Sequence, residues 1–116
     1  MKRILIFSIV CLTSIIVSLG QSVESTILPP TDYTREVCDE HSFAAYLRQL
    51  PLLPKGSKVL LYNGQEKRNQ AAAFAVVDME IGNRDLQQCA DAVMRLWAEY
   101  LWAQKRYGEI KFNFTN

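Results

Sequence analysis

The sequence is poor in the side chains that do most catalytic and metal work. It has one histidine, His41, in 116 residues. It has three cysteines, Cys11, Cys38 and Cys89, and the first falls inside an apolar leader. A single histidine with the two remaining cysteines matches no zinc spacing, so no metal site and no cofactor is expected. A basic excess is missing too. Thirteen Lys and Arg stand against twelve Asp and Glu, and two of the thirteen lie in residues 1–20, which leaves 11 − 12 = −1 beyond them. With no surplus and no basic stripe interleaved with aromatics, nucleic-acid binding is excluded as an expectation. There is no internal repeat and no low-complexity tract, which excludes solenoids and compositional linkers.

A hydrophobic run of bilayer length is also lacking. Ile4 to Val17 is apolar, but it is shorter than the ~20 residues a spanning helix needs. Lys2 and Arg3 precede it, and Ser18-Leu19-Gly20 follows with small residues at the −3 and −1 positions before Gln21. Together these make a secretory signal peptide over residues 1–20. The expectation is an exported protein, periplasmic or in the cell envelope, with no membrane span after cleavage. A lipoprotein reading would need Cys11, and the bulky Val10 before it does not suit that processing.

What is present centres on Gly82 to Phe114. Apolar residues recur at Leu86, Cys89, Ala90, Val93, Leu96, Trp97, Tyr100 and Leu101, the spacing of one helical face. Asp91, Arg95 and Glu99 share the other face, one turn apart. Asp85 with Gln88 reads as a capping box, Lys105 and Arg106 suit the helix C-terminus, and Gly108 suits the position after it. The pattern predicts a helix from Leu86 to Tyr107, roughly 33 Å long at ~1.5 Å per residue.

Ahead of it, residues 21–41 are polar, contain Pro29-Pro30, and read as an extended lead-in. Ser42 caps a short helix with Phe43, Tyr46, Leu47 and Leu50 on one face, and Pro51 stops it. Lys58–Tyr62 and Phe74–Ile81 read as strands, with a turn at Asn63-Gly64 after the first. Ile110–Phe114 reads as a last strand burying Ile110, Phe112 and Phe114. The order helix, strand, strand, helix, strand predicts an α+β domain with the long helix packed on a small sheet.

Several stretches carry a family resemblance: Ser-Phe-Ala-Ala-Tyr-Leu-Arg-Gln-Leu-Pro-Leu (42–52), Leu-Tyr-Asn-Gly (61–64), Asn69-Gln70, and Asp-Leu-Gln-Gln-Cys-Ala-Asp-Ala-Val-Met-Arg-Leu (85–96). From about Pro29 to Thr115 the chain resembles the domain-of-unknown-function family 4846, found mainly in Bacteroidetes. The resemblance implies an exported bacterial protein and implies no activity. Members look about twice as long and carry a Gly-His-Ala-Val type strand in their second half. The resemblance therefore implies that residues 42–116 are the N-terminal part of one α+β domain, incomplete alone.

Cys89 is the candidate catalytic residue. It falls near the start of the predicted long helix, where unpaired N–H groups and the dipole favour a thiolate. That is the placement of the nucleophile in papain-like thiol enzymes, and the resemblance implies a base in the missing half. The other reading places Cys89 on the apolar stripe as a buried structural thiol. His41, beside Asp39 and Glu40, reads as a solvated loop residue. Asp78 and Glu80 share a strand face and read as solvated acids rather than a glycosidase pair. Cys38 and Cys89 are expected to remain free thiols. Asn113-Phe114-Thr115 fits the glycosylation pattern, a chance match in a bacterial protein. Trp97 and Tyr100 belong to the core stripe, and Trp102 falls off it, placed to meet a partner. Two functions from different classes follow: a non-enzymatic envelope or binding module, and a cysteine-dependent amide hydrolase with Cys89 as nucleophile.

Overall fold

The computed structural model describes residues 20–113. The leader up to Leu19 and residues 114–116 lie outside the described residues. So do the signal-peptide assignment, the end of the expected last strand and most of the Asn113-Phe114-Thr115 pattern.

Among the described residues three helices and one 3₁₀ turn form: α1 Val23–Thr26, α2 Phe43–Gln49, α3 Cys89–Ala103, and the 3₁₀ turn Tyr107–Glu109. α2 is the helix expected from its caps. Ser42 accepts a hydrogen bond from the Ala45 N–H at 3.2 Å, and the chain turns extended at Leu50, ahead of Pro51. α1 was not expected. Ser22 and Ser25 cap it reciprocally, and the Val23 N–H donates to the Leu50 carbonyl at 3.0 Å. The start of the lead-in is thus tied to the end of α2.

The α+β expectation is corrected. Among the described residues there is no sheet, only isolated antiparallel bridges that join Ser22 to Pro51, Leu52 to Val77 and Leu60 to Glu66. Residues 50–53 form a hub between two other segments. On one side Leu52 N–H donates to the Gln21 carbonyl; on the other, Leu53 N–H donates to Val76 and Pro51 accepts from Asp78 N–H, each at 2.8 Å. The Asn63-Gly64 reversal does form, with Gly64 at φ 81 and the Leu61 N–H bonded to the Gln65 carbonyl at 2.8 Å. Its flanks pair only briefly, through the Leu60–Glu66 bridge and the Lys67 N–H, which donates to the Val59 carbonyl at 2.9 Å. The Gln70 side-chain amide accepts from the Val59 N–H at 2.9 Å and donates to the Val59 carbonyl at 3.0 Å. The Gln70 side chain thus takes the Val59 N–H and shares the Val59 carbonyl with the Lys67 N–H, and among the described residues the pairing runs no further. Ile110–Phe114 is likewise no strand within the described residues. Ile110 ends the 3₁₀ turn, and Phe112 is exposed.

α3 is shorter than the predicted Leu86–Tyr107. Gln88, not Asp85, is its N-cap residue, and Asp91 Oδ2 accepts from the Gln88 N–H at 3.4 Å. Its stop is a Schellman motif built on a different residue from the expected Gly108. Lys105 takes the left-handed conformation at φ 59, its N–H donates to Trp102, and the Arg106 N–H donates to Leu101, both at 2.9 Å. A lysine there carries the steric cost that glycine avoids. Lys105→Gly is therefore expected to raise stability by about 0.5–1 kcal/mol, after allowing for glycine's extra freedom when unfolded. Urea unfolding measures this, and a loss of stability would contradict the strain.

The core lies where α2 crosses the C-terminal half of α3. Phe43 meets Trp97 edge-on at 5.0 Å and Tyr100 at 5.2 Å, and Tyr46 meets Tyr100 at 5.8 Å. Leu101 is buried completely, at 0% exposure.

Candidate functional site

Cys89 is the first residue of α3, and its thiol is exposed. The buried reading of this cysteine is thereby corrected. The residues around it serve the helix start: Gln88 Nε2 donates to Asp85 Oδ2 at 3.4 Å, and the Ala92 N–H bonds the Gln88 carbonyl at 2.9 Å. Cys38 is half-buried, and its Sγ accepts from Arg48 Nη1 at 3.1 Å while Arg48 Nη2 donates to the Glu36 carbonyl at 2.8 Å. Both thiols are free, as expected from the sequence.

His41 stands at the opposite end of α3 from Cys89. Its carbonyl accepts from Tyr100 Oη at 2.9 Å and from Gln104 Nε2 at 2.5 Å. Tyr100 is about 16 Å along the helix from Cys89 at ~1.5 Å per residue. The imidazole points to solvent, 80% exposed, with Glu40 Oε1 at 3.4 Å. His41 is the solvated loop residue expected, and its backbone does the structural work. The structure does not bring His41 to Cys89. Among the described residues no group of three or more His, Cys, Asp or Glu is placed to hold a metal ion. None of the described helices is long and apolar enough to cross a membrane.

On the charged face of α3, Asp91 is exposed, while Arg95 and Glu99 are half-buried and tied to neighbouring segments. Arg95 Nε donates to Glu99 Oε1 at 2.7 Å, and its Nη1 donates to the Glu80 carbonyl. Tyr46 Oη donates to Glu99 Oε2 at 3.4 Å. Burial, then the neighbouring Glu99 carboxylate, raises the Tyr46 hydroxyl above its ordinary 10.0, so it remains a donor at neutral pH. Asp78 and Glu80 are exposed and line an open groove beside Arg95, not a closed acid pair.

Residues 23–116 match the family model described as Domain of unknown function (4846). The chain belongs to this family. No curated protein and no solved structure matches it. In this member of the family the matched region opens at α1 and takes in the hub, the Asn63-Gly64 reversal and all of α3.

The apolar stripe on α3 is open over part of its length. Its C-terminal end is buried at Tyr100 and Leu101, and Leu96 and Trp97 before them are partly covered. Toward the N-terminus, Ala90, Val93, Met94 and Trp97 stand at i, i+3, i+4 and i+7 and are all exposed, Val93 at 62%. Leu86, just ahead of the helix, is 59% exposed. This spacing is a seam that a second helix can enter. Off the stripe, Trp102 is exposed as expected and lies 4.6 Å from the Tyr107 ring. The sequence located the stripe but assigned it the wrong neighbour. It gave no signal for the Gln70 amide or for Arg48, whose partners are backbone groups and a thiol.

Proposed function

We propose that this chain is a non-enzymatic binding module of the bacterial cell envelope, exported by residues 1–20, whose α3 seam receives an amphipathic helix of a partner protein. The uncovered Ala90, Val93 and Met94, together with the part of Trp97 that Phe43 and Tyr100 leave exposed, carry this reading. Their spacing suits helix-in-groove packing, and no charged residue stands among them to favour a polar partner. The basic start, apolar run and small −3 and −1 residues support export.

Val93→Cys and Lys111→Cys, each placed in a chain whose Cys38 and Cys89 are serine, test both parts. A membrane-impermeant maleimide is expected to label Lys111→Cys in intact cells and in purified protein alike. Val93→Cys should react freely when purified and about tenfold more slowly in cells, the protection given by a contact of about 1.4 kcal/mol. Equal labelling of the two positions in cells contradicts docking. Failure to label Lys111→Cys without lysis contradicts export.

The thiol-hydrolase reading is favoured by one observation, the exposed Cys89 at the first position of α3. A vinyl-sulfone probe of papain-class enzymes decides it. Labelling of Cys89 at least about tenfold faster than a free thiol supports an activated nucleophile, whereas equal rates remove the reading.

A further inference from the structure

A cleft of about 430 Å³ opens against the hub residues Leu52 and Leu53 and is lined by no residue of α2 or α3, so it is apart from both Cys89 and the α3 seam. Leu52, Leu53 and Val76 line it, and Leu52 is buried. Phe74 stands at its lip with 79% of its surface exposed. The volume falls in the range of small-molecule sites, ~300–1,000 Å³. The remaining wall is a tight turn. The Ser57 N–H donates to the Pro54 carbonyl at 3.0 Å, and Gly56 takes φ +89, the third position of a type II turn. That geometry fixes Lys55 at the corner of the turn, with Ser57 beside it, both on the cleft.

The two lysines of this wall are not equivalent. Lys58 is paired with Glu66 at 3.3 Å. Lys55 has no ion pair among the described residues. The Gln70 amide, also on the cleft, is committed to Val59 and to the Lys67 carbonyl at 2.6 Å. Lys55 is therefore the cleft's ammonium without an ion pair among the described residues, with the Ser57 hydroxyl beside it; Gln21 and Thr26 add polar groups elsewhere on the wall.

We propose that this cleft binds a fatty carboxylate, with its alkyl chain along Leu52, Leu53, Val76 and Phe74 and its carboxylate on Lys55 and Ser57. A single cation with a neighbouring hydroxyl offers two donors to the two oxygens of one carboxylate. The alkyl chain gains by leaving water for the hub's apolar wall. Phe74 then has a role that its exposure alone does not give it: it closes over the chain.

Titration calorimetry of the full chain tests the proposal, with decanoate and decyltrimethylammonium as probes. Decanoate is expected to bind one to one, and the cation of equal chain length is expected to bind at least about tenfold more weakly. Lys55→Gln should cost decanoate about tenfold, the loss expected for one hydrogen bond to a charged group. Phe74→Ser, at an exposed position, should weaken it several-fold with the folded state intact by circular dichroism. Val93→Asp should leave decanoate binding unchanged, so failure here and failure of the seam are read separately. No decanoate binding, equal binding of the two probes, or an unaffected Lys55→Gln variant overturns the proposal. Loss of decanoate binding in Val93→Asp also overturns it, because the alkyl chain would then sit on α3.

Discussion

Leu101→Ala is expected to lower stability by about 2–5 kcal/mol, the usual cost of deleting a fully buried leucine and leaving a cavity. The reason is position. Leu101 is the one large side chain among the described residues with no exposed surface, and its carbonyl also takes the Arg106 N–H that closes the end of α3. In a domain of this size each 1 kcal/mol moves the thermal midpoint by about 4–8 °C, so a drop of roughly 10 °C or more should be seen by circular dichroism. Leu86→Ala is the control. It changes the same residue type in the same sequence stripe, but at a 59% exposed position, and should move stability by no more than about 0.5 kcal/mol. Equal effects from the two would mean that Leu101 is not the core residue described.

The second large effect is expected at Phe43. Its ring touches Tyr46, Trp97 and Tyr100, with centroids at 6.1, 5.0 and 5.2 Å. It joins α2 to α3 and is half-buried. Phe43→Ala should therefore cost somewhat less than a fully buried phenylalanine, about 3 kcal/mol. Phe43→Leu keeps most of the apolar area and loses the ring contacts, about 1 kcal/mol. The near-ultraviolet dichroism of Trp97 gives an independent readout, because the edge-on ring beside it is removed in both variants. An unchanged spectrum and midpoint would show that α2 is held to α3 by something other than this cluster.

The two helices were legible in the sequence because their signals are local. Ser42 and Pro51 bracket α2, and an apolar period of about 3.6 marks α3. Their ends were less legible where two residues competed for one role. Asp85 and Gln88 both suit a cap, and Gln88 takes it while Asp85 holds its side chain. Gly108 and Lys105 both lie near the stop, and the less permissive residue adopts positive φ because the Trp102 and Leu101 carbonyls are reached from there. The sheet was misread for a different reason. β-branched content shows that a segment is extended, but pairing belongs to two segments at once. At Val59 the N–H goes to a glutamine side chain that also shares the carbonyl with Lys67, an arrangement that no alternation of apolar and polar residues encodes. The same limit governs the candidate site. The period located the stripe and the composition located Cys89, but neither says what lies opposite. The stripe is therefore open at Val93, and Cys89 is exposed.

The hub at residues 50–53 also sets an order of events as the chain folds. Closing it onto Gln21 joins residues 52 − 21 = 31 apart, and closing it onto Asp78 joins residues 78 − 51 = 27 apart. Loop entropy grows only with the logarithm of length, so the two closures differ by about 0.1 kcal/mol and neither is favoured by cost. Availability decides instead. A chain released N-terminus first can join residues 21–23 to 50–52 before residues 76–78 exist to compete. The first loop then waits with one flank of Leu52 open until Val77 arrives. Changes at the first closure should accordingly appear as slower folding, and changes at the second as faster unfolding.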